Sequence, residues 1–314
     1  MTRIQQVHWE LEMDYIGHPY YVSGNAILHA LGQHIPNGIH QDLSASHGVF
    51  LPGQFGRFPE KHSQSGVQPY LGSRLSDVES YDDLFLMRNP AHRWLLDSRP
   101  QDALNTHDIR LQSGHPALSH ETIMGKPEDA HKQQQTTKWY LNAYLHADDP
   151  EMLPLEEDVL SGLQFGGKRN YGYGITRLKD TQLVDLDDLD YSRLEDSEAF
   201  LVEVTTPFVL ESEYPTAADQ DVPWWWQESR RDLRERAEKI LEQREVYNLQ
   251  TVDHGQVVTY EGDRPIETAK SGVLRVGTHS KYGFGELRVK PVGPQPEQGA
   301  NTETNVETTE PSHR

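Results

Sequence analysis

Two short segments hold the residues best suited to chemistry. FGGKRNYGYGITRLK, Phe165 to Lys179, is echoed by RVGTHSKYGFGELRVK, Arg275 to Lys290. Each mixes glycines with basic side chains and ends in aromatic-Gly-aromatic-Gly before a strand-like run. Gly166, Gly167, Gly172 and Gly174 permit unusual dihedrals and close approach, and such loops can turn backbone N–H groups toward a phosphate. Lys168 and Arg169 add charge in the first copy. Lys281, and His279 when protonated, do so in the second, whose glycines are Gly277, Gly283 and Gly285. Tyr171 and Tyr173, like Tyr282 and Phe284, can stack on bases or pack beneath the loop. The chemistry these types suit is contact with a nucleic-acid phosphate chain. The competing account is a tight turn with its aromatics in the core.

The common nucleotide templates fail. A P-loop needs Gly-Lys-Ser/Thr, but GGKRN puts Arg169 where the hydroxyl belongs. A dinucleotide fingerprint needs a third glycine and a following helix, whereas GYGITR leads into a strand. The companion motifs of a kinase glycine loop are missing.

The elements that must hold these loops follow from local pattern. Val7, Trp9, Leu11, Met13 and Tyr15 alternate with polar residues, which predicts a strand with one buried face. SGNAILHALGQ predicts a helix capped by Ser23, with Ile27 and Leu31 on one face and Gly32 closing it. KWYLNAYLHA alternates as a strand. PLEEDVLSGL predicts a helix with Leu155, Val159 and Leu163 on one side. The second half restarts with Phe200, Val202 and Val204. Gln227 to Val246 predicts a charged helix with an apolar stripe of Leu233, Ala237, Ile240 and Leu241. GQVVTYEG then reads as a strand and PIETAKSG as a short helix. The order strand, helix, strands, helix, glycine loop, strand is that of a ferredoxin-like βαββαβ unit, and it occurs twice. The expected fold class is therefore α+β. One ferredoxin-like, RRM-like domain would span residues 1–185, with a long irregular insertion at about 48–135. A second would span 186–292, and a polar tail at 293–314 should be disordered.

The chain has 314 residues, with 49 acidic against 29 basic and a formal net charge of −20. The acidic residues are spread along it, which fits adaptation to a high-salt cytosol more simply than selection of a partner. High salt would screen long-range repulsion and leave local basic patches able to hold phosphate. The absence of cysteine removes disulfides, thiol nucleophiles and cysteine-ligated zinc, and suits a reducing compartment. No run is apolar enough to span a bilayer, and no signal core opens the sequence. A cytoplasmic protein without membrane contact is expected.

The glycine segments, with YYVSGNAILHAL, resemble the CRISPR-associated RAMP superfamily, whose ferredoxin-like domains carry a glycine-rich loop between last helix and last strand. The resemblance runs in outline from Val7 to Pro291. A loop in both halves looks more like a two-domain effector subunit, such as those of type III complexes, than like other members. The resemblance implies CRISPR RNA, guide or repeat transcript, and other CRISPR-associated subunits as partners. It implies neither cofactor nor metal, and no catalytic residue. It also admits a second reading, a metal-independent repeat-processing endoribonuclease. There a base takes the ribose 2′-OH proton and a cation stabilises the developing charge. Its histidine would lie near the first helix, where His29, His34 and His40 stand.

Outside the superfamily, His107, Asp108, His115, His120 and His131 suggest a metal-dependent phosphohydrolase. Their spacing, broken by Pro116, does not put ligands on one helical face, so a solvated loop is the better account. The run Trp224–Trp226 could stack bases or anchor a subunit, with core packing claiming at least one ring.

Overall fold

The computed structural model describes residues 2–17, 21–36, 41–52, 74–75, 77–86, 88, 101–104, 119–124, 139–167, 169–242 and 245–292. The chain is α+β with mostly antiparallel sheets and few helices. Among the described residues no helix is long and apolar enough to cross a membrane.

The N-terminal part runs β1 (Arg3–Leu11), β2 (Tyr15–Gly17), β3 (Tyr21–Val22), α1 (Gly24–Leu31), β4 (Leu43–Ala45), β5 (Gly48–Pro52), β6 (Gln101–Leu104), β7 (Ser119–Met124), β8 (Trp139–Ala147), α2 (Glu157–Leu160) and β9 (Thr176–Asp185). Its main sheet has the order β3-β5-β8-β1-β9, with β4 also pairing β8, and β2-β7-β6 form a separate sheet. Strand β1 lies centrally, antiparallel to both β8 and β9. That position explains a departure from the alternation. Val7 and Trp9 enter the apolar core, but the opposite residues Gln6, His8 and Glu10 are buried as well, because neighbouring strands cover them. His8 stacks on Tyr140, and Glu10 pairs with Arg177 and Lys179 of β9. The strand also stops before Met13, which is exposed.

Helix α1 forms as its sequence predicts. Ser23 Oγ accepts from the Ala26 N–H, Gly32 closes the helix, and Ile27 and Leu31 are fully buried. The next predicted helix shrinks to the single turn α2, although Leu155 and Leu163 are buried beside it.

The C-terminal part continues with α3 (Ser192–Glu195), β10 (Phe200–Val204), β11 (Phe208–Ser212), β12 (Glu235–Glu242), β13 (Glu245–Val252), β14 (Val257–Tyr260), α4 (Pro265–Leu274) and β15 (Leu287–Pro291). Two three-stranded sheets result, β14-β10-β15 and β11-β13-β12. In the first, β10 is central and antiparallel to both neighbours, the place β1 holds between β8 and β9. One apolar cluster draws on both parts, from Ile4, Tyr144 and Val184 to Val202, Val273 and Val289.

The charged helix expected over Gln227 to Val246 does not form. That stretch contains a short 3-10 turn at Arg230–Asp232, and β12 pairs with β13 as a hairpin from Glu235↔Val252 to Glu242↔Glu245. Period two, not 3.6, governs burial. Glu238 and Ile240 point inward, whereas Ala237 and Leu241, half of the supposed stripe, are exposed. Arg, Glu and Lys favour helix only weakly, and pairing with the β-branched and aromatic residues of β13 overrides them. The tail at 293–314 lies outside the described residues.

Candidate functional site: two copies of one loop

The two glycine segments fold into one shape, here loop 1 (165–175) and loop 2 (276–286). In loop 1 the Phe165 N–H donates to Gly174 O at 3.0 Å; in loop 2 the Val276 N–H donates to Gly285 O at 2.9 Å. The Gly174 N–H reaches Asp14 O at 2.8 Å, just past β1, and the Gly285 N–H reaches Pro207 O at 2.9 Å, just past β10. Each loop carries a 3-10 turn, Arg169–Tyr171 and Ser280–Tyr282, closed by Gly172 and Gly283. Backbone dihedrals match as well. Gly166, Gly172 and Gly174 have φ of 83°, 85° and 74°, and Gly277, Gly283 and Gly285 have 87°, 99° and 78°. A Cβ on Gly174 would lie 1.8 Å from Phe165 O, and one on Gly285 2.0 Å from Val276 O. Only glycine fits there.

The residue before each loop repeats a further contact that sequence inspection missed. Gln164 Nε2 donates to Arg169 O at 2.8 Å, and Arg275 Nε donates to the equivalent Ser280 O at 2.9 Å. Gln164 Nε2 also reaches Tyr173 O at 2.8 Å, tying the loop at two points. A Gln and an Arg share the place because each offers a side-chain N–H at similar reach, so residue similarity gives no signal.

The N–H groups of Gly167, Gly172, Gly174, Gly283 and Gly285 all donate to protein carbonyls. At those five places the glycines provide backbone curvature and close approach, while Arg169, Asn170 and Tyr171 present side chains to solvent.

The surroundings of the two loops differ sharply. Loop 1 is open: Arg169 and Asn170 are exposed, and Tyr171 is 81% exposed. Lys168 lies outside the described residues. Loop 2 is wedged between the two parts of the chain. Gly283 abuts His47, Phe284 is buried with its ring edge-on to His47, and Thr206 Oγ1 donates to Gly283 O. Lys281 Nζ donates to Gln41 O at 2.6 Å. His279 adopts a left-handed conformation, lies 2.8 Å from Ser212 Oγ, and burial lowers its pKa below the usual value.

Behind loop 2 runs a buried polar seam. Arg88 Nη1 donates to Glu286 Oε2 at 2.7 Å, while Nη2 reaches Ser46 Oγ and His47 O. Its guanidinium sits over the Tyr144 ring. Arg275 is buried close by, and its pKa is pulled down to about 10, chiefly by desolvation. Burial raises the Glu286 carboxyl, although both arginines oppose this. Glu286 left a faint trace in the sequence, a lone acid between the loop's last glycine and the apolar start of the strand. Arg88 left none.

Of the histidines near α1, His29 Nε2 lies 3.3 Å from Glu242 Oε2 of the hairpin, His34 is exposed in the turn after the helix, and His40 lies outside the described residues. His107, Asp108, His115 and His131 also lie outside them, and His120 falls in β7. The described residues contain no cluster of His, Asp or Glu able to hold a metal. In the Trp run, Trp226 is buried against Phe208, Trp225 packs on Tyr260, and Trp224 is 75% exposed.

This architecture defines an α+β chain with an internally repeated helix–loop–strand corner. No family model matches the sequence, and no curated protein does. Among solved structures it is similar to a chain of the cryo-EM structure of the Type III-B Cmr-beta bound to cognate target RNA. The identity is 10% over 91% of this chain and 96% of that one, with a TM-score of 0.32. A likeness of that size carries no weight for function.

Proposed function

We propose that this chain is an RNA-binding subunit of a CRISPR ribonucleoprotein that holds guide or repeat RNA at its glycine-rich loops, alongside other CRISPR-associated subunits. The observation that carries the reading is the duplicated loop. Two segments distant in sequence repeat one set of hydrogen bonds and positive dihedrals, each after a helix and before the last strand of a sheet. That placement is the one the superfamily resemblance implies. The order β5-β8-β1-β9, with α1 after the first strand and α2 before the last, supports a ferredoxin-like unit at about 1–185. The order β14-β10-β15 with α4 supports a partial second unit at 186–292, its first helix replaced by the β12-β13 hairpin.

RNA contact falls to loop 1, with Lys168 and the exposed Arg169 at the phosphate backbone and the exposed Tyr171 nearby. The chain's overall acidity makes these local cations the attractive feature for a polyanion, and affinity should fall steeply with salt. The test is a titration of labelled repeat RNA in EDTA at two salt concentrations, with Lys168→Ala/Arg169→Ala as comparison. Salt-sensitive binding weakened in the variant supports the proposal. Equal binding by both proteins would overturn it, and cutting in EDTA would favour a processing nuclease.

A further inference from the structure

We infer that the two copies of the loop have divided the work: loop 2 is a fixed latch between the parts of the chain, and loop 1 alone takes RNA, stacking a base on Tyr171 with the adjoining phosphate at Arg169. This rests on the RNA reading above.

Tyr171 and Tyr282 occupy the same place in the same 3-10 turn. Tyr282 is half-buried between two apolar clusters, and its carbonyl lies so close to α1 that a Cβ on Gly24 would come within 2.5 Å of it. Together with the Lys281 and Thr206 bonds, this leaves Tyr282 only partly open, with loop 2 held against the protein on that side. Loop 1 keeps the same conformation without any such cover. Its shape is set by Gln164 at two carbonyls and by backbone bonds to Asp14 and Ile16. A large ring is thereby held in water on a preformed support, and Tyr171 is the most exposed large hydrophobic side chain among the described residues. Binding to a preorganised surface loses little entropy, and every base offers a face to a ring.

Charge points the same way. In this acidic chain nine described arginines are paired with carboxylates. Arg169, two residues from Tyr171, makes no ion pair among the described residues. An exposed ring beside an uncompensated guanidinium suits a single-stranded nucleotide, with a base for one and a phosphate for the other. A duplex, its bases already stacked, would gain less.

The test combines affinity with mapping. Wild type, Tyr171→Ala, Tyr171→Phe and Arg169→Ala are titrated with labelled single-stranded repeat RNA, and 4-thiouridine cross-links are mapped to peptides. The expected result has several parts. Tyr171→Ala binds about tenfold more weakly, Tyr171→Phe binds as wild type, and Arg169→Ala shows a salt slope lower by about one. Cross-links fall within 165–175 and not within 276–286, and melting temperatures are unchanged. Cross-links on loop 2, or full affinity in Tyr171→Ala, overturn the division of work while the RNA reading stands. A wild-type protein that binds no RNA overturns both.

Discussion

Arg88 and Glu286, from opposite parts of the chain, meet at 2.7 Å with neither side chain reaching solvent. Their pairing fastens the end of loop 2 to the segment beside β4 and β8. Removing one partner strands the other charge in a low-dielectric seam. Arg88→Ala should cost about 3–5 kcal/mol in urea unfolding. The double change Arg88→Met/Glu286→Leu should recover most of that loss. If Arg88→Ala were as stable as wild type, the seam would not be buried as described.

The glycines of the loops should separate by what a methyl group would strike. Gly174 and Gly285 combine positive φ with a backbone oxygen within 2.0 Å of the missing Cβ, whereas Gly172 has only the positive φ and open space. Gly172→Ala should cost about 1–2 kcal/mol. Gly174→Ala and Gly285→Ala should each cost distinctly more, because main chain must move. Thermal melting of the three variants checks the order.

The hairpin makes a directional prediction. Ile240 is 2% exposed and its neighbour Leu241 is 52% exposed. Ile240→Ala should cost about 2–4 kcal/mol, and Leu241→Ala no more than about 0.5 kcal/mol. A helix with both residues on its apolar stripe would make the two losses similar.

Stability should fall on mild acidification. His146 and His279 both have pKa values lowered from 6.5, chiefly by burial, with Arg275 adding to the effect at His146. Below pH 6.5 the unfolded chain therefore binds protons that the folded chain resists, and stability declines as pH falls through that window. Glu286 acts oppositely. Its raised pKa favours the protonated folded form, so its contribution is greatest below the ordinary glutamate value and is lost as pH rises. Unfolding curves between pH 5 and 7 should flatten in His146→Gln/His279→Gln. An unchanged pH slope would place these histidines in water.

Local pattern made several elements legible. The alternation of Val7, Trp9 and Leu11, the Ser23 cap and the Pro265 helix start are each written within a few residues, and each element forms. The paired glycine segments were also visible, because positive φ restricts those positions to glycine in both copies. Pattern misled where local preference was weak and the partner lay elsewhere. The charged run before Val246 has helical composition, but its hydrogen bonds go to β13.

By itself, then, the sequence determined the repeat, the glycine positions and an α+β alternation, since all three depend on dihedral preference and short-range periodicity. Only the tertiary structure decided that one loop faces water and the other is locked in a seam. Tyr171 and Tyr282 are the same residue in the same turn, and what separates them is the packing of α1, His47 and Thr206 around one and not the other. Arg88 and Glu286 likewise become partners only once the chain between them has folded. Local preference acts over one or two turns of chain, whereas burial and charge pairing depend on which distant surfaces meet.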